Sequence, residues 1–352
     1  MLVDDSYRLD ESRIALLVGQ IVRVRESGRQ VVLVSSGAIA AGLPDLKLDR
    51  RPTDLPSLQA AAAMGQARLI ELYRDLFGAH GVAVGQALLT HGDLRDRDRH
   101  LNARNALNRM LEAGAVPIVN ENDTVAVDEI RVGDNDQLSA LVGNLVRADL
   151  VALFTTVDGL YTAHPDRGGV LVPSVEAVTG AVRAMADGPG DGVGTGGMRT
   201  KLDAAEICLR GGERLVIANG YEPDALVRLL DGEPLGTVFE SAGDPMGGRK
   251  RWIAFFQKPS GTVTVDEGAA RAMRERGGSL LAIGVIGVEG GFARGDLVSV
   301  QGPGGDEIAR GLVNYSSADL TRIIGKRSDE IAAVLGSCEY GEVVHRDNLV
   351  LG

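Results

Sequence analysis

The chain has 352 residues, room for two domains of ordinary size, and its 44% hydrophobic content is enough for sizeable cores. A formal net charge of −11 disfavours sequence-independent binding to nucleic acid or anionic membrane, because both need positive surface. No run of about 18 apolar residues occurs, Met1–Ser6 lacks the basic and apolar regions of a secretion signal, and two cysteines, Cys208 and Cys338, are too few for a disulfide framework, so a cytoplasmic setting is expected.

Ile14, Leu17, Ile21 and Val24 recur at helical spacing and predict a first helix over Glu11 to Glu26. Gln30-Val31-Val32-Leu33-Val34 reads as a buried strand. A helix from Leu58 to Phe77 contains the run Ala60–Ala63. The alternating charges from Asp93 to Arg99 read as a solvated loop or helix start. Then follow a helix from Leu101 to Leu111, a strand over Ala115–Val119, a helix from Leu138 to Val146, and strands over Leu150–Phe154 and Arg214–Ala218. Strands alternating with helices imply a mostly parallel sheet covered on both faces, with ligands beyond the carboxyl ends of its strands.

Near residue 240 the texture changes. Ser241 to Arg251 is polar and Gly-rich and ends in Arg249-Lys250-Arg251. From Gly261 the pattern is short strands with Gly turns: Thr262–Val265, Leu281–Val288, Leu297–Val300, Arg310–Val313 and Glu342–Val344. The expected organisation is an α/β domain over residues 1–250 and a small β-rich domain over 261–345.

The segment Gly192-Val193-Gly194-Thr195-Gly196-Gly197-Met198-Arg199-Thr200-Lys201 runs straight into an apolar-periodic stretch. A Gly-rich loop opening a helix exposes backbone N–H groups at the positive end of the helix dipole, and a lysine there adds a point charge suited to phosphate. Gly192, Gly194 and Gly197 also match the dinucleotide fingerprint G-x-G-x-x-G literally. However, no strand pattern precedes them and no acidic residue closes a second strand about 20 residues on. A Walker A loop fails because Arg199 and Thr200, rather than glycine, precede Lys201. A plain loop with a helix cap is the remaining alternative.

Other candidate sites lie after strands. Ser35-Ser36-Gly37-Ala38-Ile39-Ala40-Ala41-Gly42 is small enough for close ligand approach or for tight helix packing. Asn120-Glu121-Asn122-Asp123 and Gly133-Asp134-Asn135-Asp136-Gln137 are rich in acids and amides. Acids suit an ammonium group and amides suit a carboxylate, which together describe an amino acid. An EF-hand beginning at Asp134 is excluded by Ser139 and Leu145 at its sixth and twelfth positions. Phe154-Thr155-Thr156-Val157-Asp158-Gly159 reads as a strand end and turn, with or without a nucleotide beside it.

In this order and spacing the segments resemble the glutamate 5-kinase branch of the amino acid kinase family. The stretch Val263-Thr264-Val265-Asp266-Glu267-Gly268-Ala269 resembles the opening of that branch's C-terminal PUA domain. The resemblance implies a three-layer α/β sandwich with a mostly parallel sheet, followed by a small PUA domain. It implies transfer of the ATP γ-phosphoryl group to the side-chain carboxylate of L-glutamate, the first step toward proline. Ser36, Asp123 and Asn135 would hold glutamate. Thr155 and Thr156 would line the nucleotide site, and Thr195, Gly196, Gly197, Met198, Arg199, Thr200 and Lys201 would wrap the phosphates. Lys201 would act on the transferring group and Asp136 would orient it. Mg²⁺ would be held chiefly by ATP oxygens, with no protein metal ligands. Feedback by proline and a homo-oligomeric assembly are further expectations.

Departures accompany the resemblance. Members begin with a strand ending in Lys-x-Gly-Thr/Ser, and no Lys-x-Gly precedes the first helix here. A start placed late, or a truncated, weak or inactive paralogue, would account for this. Thr156 stands where an aspartate is common, and His164 replaces the acid of Tyr-Thr-Ala-Asp-Pro. A kinase for another small acid is the same-fold alternative. RNA binding through the PUA domain is the other, disfavoured because residues 258–352 carry 10 Lys and Arg against 13 Asp and Glu.

Overall fold

The computed structural model describes residues 2–3, 8–125, 134–186, 197–240, 253, 259–338 and 340–351. The chain divides into two compact units, Met1–Pro245 and Met246–Gly352.

The first unit holds two hydrogen-bonded sheets. One has the order β1-β3-β2, from Leu33–Val34 (β1), Val84–Leu89 (β2) and Val116–Glu121 (β3). The other has the order β4-β6-β7-β5, from Leu150–Thr155 (β4), Ser174–Val175 (β5), Arg214–Asn219 (β6) and Thr237–Phe239 (β7). Among the described residues, four of the five strand pairings in this unit are parallel; only β6 with β7 is antiparallel. Helices α1 (Glu11–Glu26) and α3 (Leu55–Gly78) send Ile14, Ile21, Tyr73 and Phe77 into one core with Val116 and Ile118 of β3. Helices α5 (Arg97–Glu112) and α6 (Asp134–Val146) also pack on β3, and all six of its residues are buried. This is the expected α/β sandwich with helices on both faces.

Local chemistry sets the helix starts. Asp10 caps α1 by accepting from the Arg13 N–H. Asp54 caps α3 with Pro56 in the first turn, three residues earlier than the apolar pattern predicts. The charged run after Asp93 is the end of α4 (His91–Arg95) and the start of α5, capped by Asp96. Helix α2 (Ala38–Gly42) and α3 meet backbone to backbone: a Cβ on Gly42 would overlap the Ala61 carbonyl, and one on Gly65 the Ala38 carbonyl.

Two strand expectations in this unit need correction. Only Leu33 and Val34 of the predicted strand 30–34 pair, and they are half-buried, because β1 is the edge of its sheet. Strand β2 is not predicted by the sequence pattern: Gly85 and Gln86 interrupt its apolar run. Tertiary packing favours Gly85, since a Cβ there would meet the Met110 sulfur and the flexible Met110 side chain would have to shift.

The second unit is a five-stranded sheet of order β12-β11-β10-β8-β9: Gly261–Val265 (β8), Val285–Gly290 (β9), Leu297–Gln301 (β10), Glu307–Leu312 (β11) and Leu349–Leu351 (β12). Its core joins Val263, Val265, Val298 and Val300 to Ala270 and Met273 of helix Glu267–Arg276 and to Leu320 and Ile323 of helix Ser317–Ile323. The predicted strand 281–288 opens instead as a 3₁₀ turn over Ala282–Gly284. The predicted strand 342–344 makes only a bridge, Leu280 with Val344, and the last strand is β12. Val343 and Val344 are buried by packing, so their apolar character does not report ladder pairing.

Candidate active site

The carboxyl ends of β1 and β3 lie side by side. Val34 pairs with Val119, and the Ser35 N–H donates to the Val119 carbonyl at 2.9 Å. Ser35 is buried, with its hydroxyl 2.8 Å from that of Tyr73 on α3. Burial pushes the Tyr73 phenol up to about 12, so it remains a neutral hydrogen-bonding partner. Gly37, at φ 100°, then makes the left-handed turn into α2. Ser36 is left exposed at the tip of this turn.

Asn135, near the start of α6, donates from Nδ2 to the Ser35 carbonyl at 3.2 Å, across 100 residues of sequence. Its Oδ1 is shielded from water and has no hydrogen-bond partner among the described residues. On the adjacent strand end, Asn120 and Glu121 are buried, and Asn120 Oδ1 accepts the Glu121 N–H at 2.9 Å. Asp123 follows, partly buried. Desolvation raises its carboxyl to about 6, and the positive charge of Arg51 pulls the other way. Ser36, Asp123 and Asn135 thus belong to one end of one sheet.

A second cluster begins one residue further along α6. Lys201 Nζ lies 3.0 Å from Asp136 Oδ2, and the Thr200 hydroxyl lies 2.7 Å from the same oxygen. Lys201 is only 8% exposed, unusual for a lysine, and the carboxylate explains how its charge is tolerated there. Both residues sit in the first turn of α8 (Met198–Gly211), whose N-cap Gly197 offers no side chain to the opening N–H groups. Met198 packs on the core and Arg199 is exposed. Thr195 and Gly196 lie outside the described residues.

Thr155 ends β4, on the second sheet, and Thr156 follows it. Thr155 is in register with Asn219 of β6, and Thr156 is exposed. Asp158 accepts from Asn219 Nδ2 at 2.9 Å and from the Tyr161 hydroxyl at 2.7 Å. Those hydrogen bonds, Asn219's first, hold its carboxyl below the usual range. Helix α6 packs against β1, β3 and β4, so it bridges the two sheets and supplies neighbouring residues to both clusters.

The pattern of the Amino acid kinase family matches residues 5–219, and that of the PUA domain matches residues 261–335. The glutamate 5-kinase of Methylobacillus flagellatus is 48% identical over all of this chain and 95% of its own length. That of Moorella thermoacetica is 47% identical over 99% of this chain and 93% of its own. The chain belongs to the amino acid kinase family, among its glutamate 5-kinases. Among solved structures, the UMP kinase from Bacillus anthracis overlays with a TM-score of 0.45 at 14% identity, over 69% of this chain and 92% of its own.

Several residues of this candidate site lie outside the sequence motifs. Asn219 carries a usable signal, a polar residue at a strand's carboxyl end like Asn120. Tyr73 carries none, because it reads as part of the apolar face that includes Phe77. Arg51 lies in a polar loop, and only the fold brings its charge to bear on Asp123.

Proposed function

We propose that this chain transfers the γ-phosphoryl group of ATP to the side-chain carboxylate of L-glutamate, giving L-glutamyl 5-phosphate and ADP. The observation that carries the reading is Asp136, which gathers Lys201 and Thr200 from the Gly-rich segment beside Asn135 of the amino-acid cluster. A carboxylate oxygen attacks the γ-phosphorus and the bond to the bridging oxygen of ADP breaks. The nucleophile is already ionised, so no general base is needed, and the protein's work is alignment and charge neutralisation.

Lys201 neutralises the transferring group, with Asp136 fixing its ammonium. The N–H groups opening α8, with Thr195, Gly196, Gly197, Met198, Arg199 and Thr200, wrap the phosphates. Thr155 and Thr156 border the nucleotide. At the other end Asp123 receives the substrate ammonium, while Asn135 and Ser36 receive polar groups of glutamate. The solvent-shielded Asn135 Oδ1 is an acceptor awaiting a donor. Among the described residues no group of three His, Cys, Asp or Glu is placed to hold a metal ion. Mg²⁺ would ride on ATP oxygens and offset their charge. Residues 1–250 would carry both substrates and 261–345 the PUA domain. Proline feedback at the amino-acid end, homo-oligomeric assembly and lack of a nucleic-acid partner rest on the resemblance and the charge balance. A cytoplasmic setting fits two free cysteines.

The test is ATP-dependent acyl phosphate formation, trapped by hydroxylamine as the hydroxamate. The reading requires turnover with L-glutamate to exceed that with aspartate or N-acetylglutamate. Preference for either of those, or glutamate-independent ATP hydrolysis alone, would overturn it.

A further inference from the structure

We propose that Tyr221 binds the base of the nucleotide, its open face serving as the platform on which the base stacks. The proposal rests on the reading of the β4 end as the nucleotide border. The connection from β4 to α7 (Gly180–Met185) begins at Thr156, and that from β6 to α9 (Ala225–Leu230) begins at Gly220. The two are stitched together. The Gly220 N–H donates to the Thr155 carbonyl at 2.9 Å. Asn219 Oδ1 accepts the Tyr221 N–H at 2.8 Å, while its Nδ2 donates to Asp158. Tyr221 therefore stands at the carboxyl edge of the same strand pair as Thr155 and Thr156, where an open α/β sheet binds its ligands.

The ring is held from behind. The Arg13 guanidinium of α1 lies over it, 3.4 Å from the ring centre, and Nη2 lies 3.5 Å from the Gly220 carbonyl oxygen. Arg13 Nε is shielded from water and has no hydrogen-bond partner among the described residues, so the π face supplies part of what solvent would. Further along, α1 anchors the same connection: Gln20 Oε1 accepts the Leu226 N–H at 2.9 Å, and Arg23 pairs with Asp224. With one face taken by the guanidinium, the 50% exposure left to Tyr221 belongs to the opposite face and the rim. Val157, next to Thr156 in the neighbouring connection, is 41% exposed. An aromatic ring fixed by a cation on one side and open on the other, with a second uncovered apolar side chain at the same edge, suits a flat base better than water.

The experiment titrates ADP and inorganic tripolyphosphate, each with Mg²⁺, into the full chain by calorimetry, and compares Tyr221→Ala, Tyr221→Phe and Tyr221→Trp with the parent. In Tyr221→Ala, ADP binds about five- to tenfold more weakly, the low end for base–aromatic stacking because the ring is half-exposed. The KM for ATP rises with it. Tripolyphosphate, which has no base, changes by less than about twofold. Tyr221→Phe keeps the ring and recovers the ADP affinity. In Tyr221→Trp, ADP quenches the introduced indole and tripolyphosphate does not. Unchanged ADP affinity in Tyr221→Ala, equal losses for ADP and tripolyphosphate, or an indole blind to ADP would each overturn the proposal. The last decides it should Tyr221→Ala fail to fold. A parent chain that binds ADP without phosphorylating glutamate loses the substrate reading alone, and the titrations still decide Tyr221. A parent chain that does not bind ADP overturns the nucleotide border and the Tyr221 platform together.

Discussion

The two ends of the candidate site are built on opposite electrostatic plans. Around Asp123 and Asn135, with Ser36 exposed beside them, polar groups are withdrawn from water before their partners arrive: Asp123 is raised to about 6 and Asn135 Oδ1 lacks a donor among the described residues. Around Lys201 the charge is already paired, with Asp136 and Thr200 in place. A desolvated acceptor gains most from a cationic ligand and discriminates strongly against ligands lacking one. A prepaired lysine changes position little during transfer and stabilises charge where it develops. Under the proposed function, the difference teaches that one end would select and the other would react.

The sharpest way to break this contrast is Lys201→Ala. Losing one preorganised charge contact should cost roughly 3–4 kcal/mol of transition-state stabilisation, or 10²–10³ in kcat. The KM for glutamate should hardly move. Steady-state kinetics with each substrate varied would show it, and a matching rise in the glutamate KM would mean the two ends are not separate.

Asp123→Asn is the converse. Removing a charged hydrogen bond to the substrate ammonium should cost about 1.5–3 kcal/mol, appearing as a higher KM for glutamate with little change for ATP. A pH signature accompanies it. The folded carboxyl titrates near 6, above the ordinary value of 3.8, so the folded state binds this proton more tightly than the unfolded state does. Ionising Asp123 therefore costs nothing below the ordinary value, and the cost appears as pH rises through about 6. The Asp123→Asn variant should gain Tm relative to the parent at pH 7.5 and not at pH 3.5, measured without ligand. In the parent, the KM for glutamate should climb as pH falls through 6. A flat profile would remove Asp123 from the ammonium site.

Gly65→Ala tests whether the selecting end depends on close helix packing. Its Cβ would overlap the Ala38 carbonyl, so α2 must shift, at about 1–3 kcal/mol as in other overpacked cores. Because α2 follows Ser36 directly, the KM for glutamate should rise with the loss of stability, while ATP affinity stays near that of the parent. Tyr73→Phe is the mildest change. It deletes one buried hydrogen bond to Ser35, worth about 1 kcal/mol in thermal or urea unfolding, and should leave kcat within about twofold.

Much of this protein is legible in its sequence because the chemistry concerned is local. Helical spacing places α1, α3, α5 and α6, and β-branched runs place β3, β4 and β6, because periodicity is written within a few residues. The Gly-rich segment entering α8, and the polar clusters just past β1 and β3, mark the candidate site because strand ends and helix starts have fixed chemical character. Tertiary structure alone decided the pairings. Asp136 finds Lys201 across 65 residues, and Asn135 finds the Ser35 carbonyl. It also decided the raised Asp123 carboxyl, the edge position of β1 and the close approach of Met110 to Gly85. Burial and strand order are sums over segments distant in the chain, and no local window contains them.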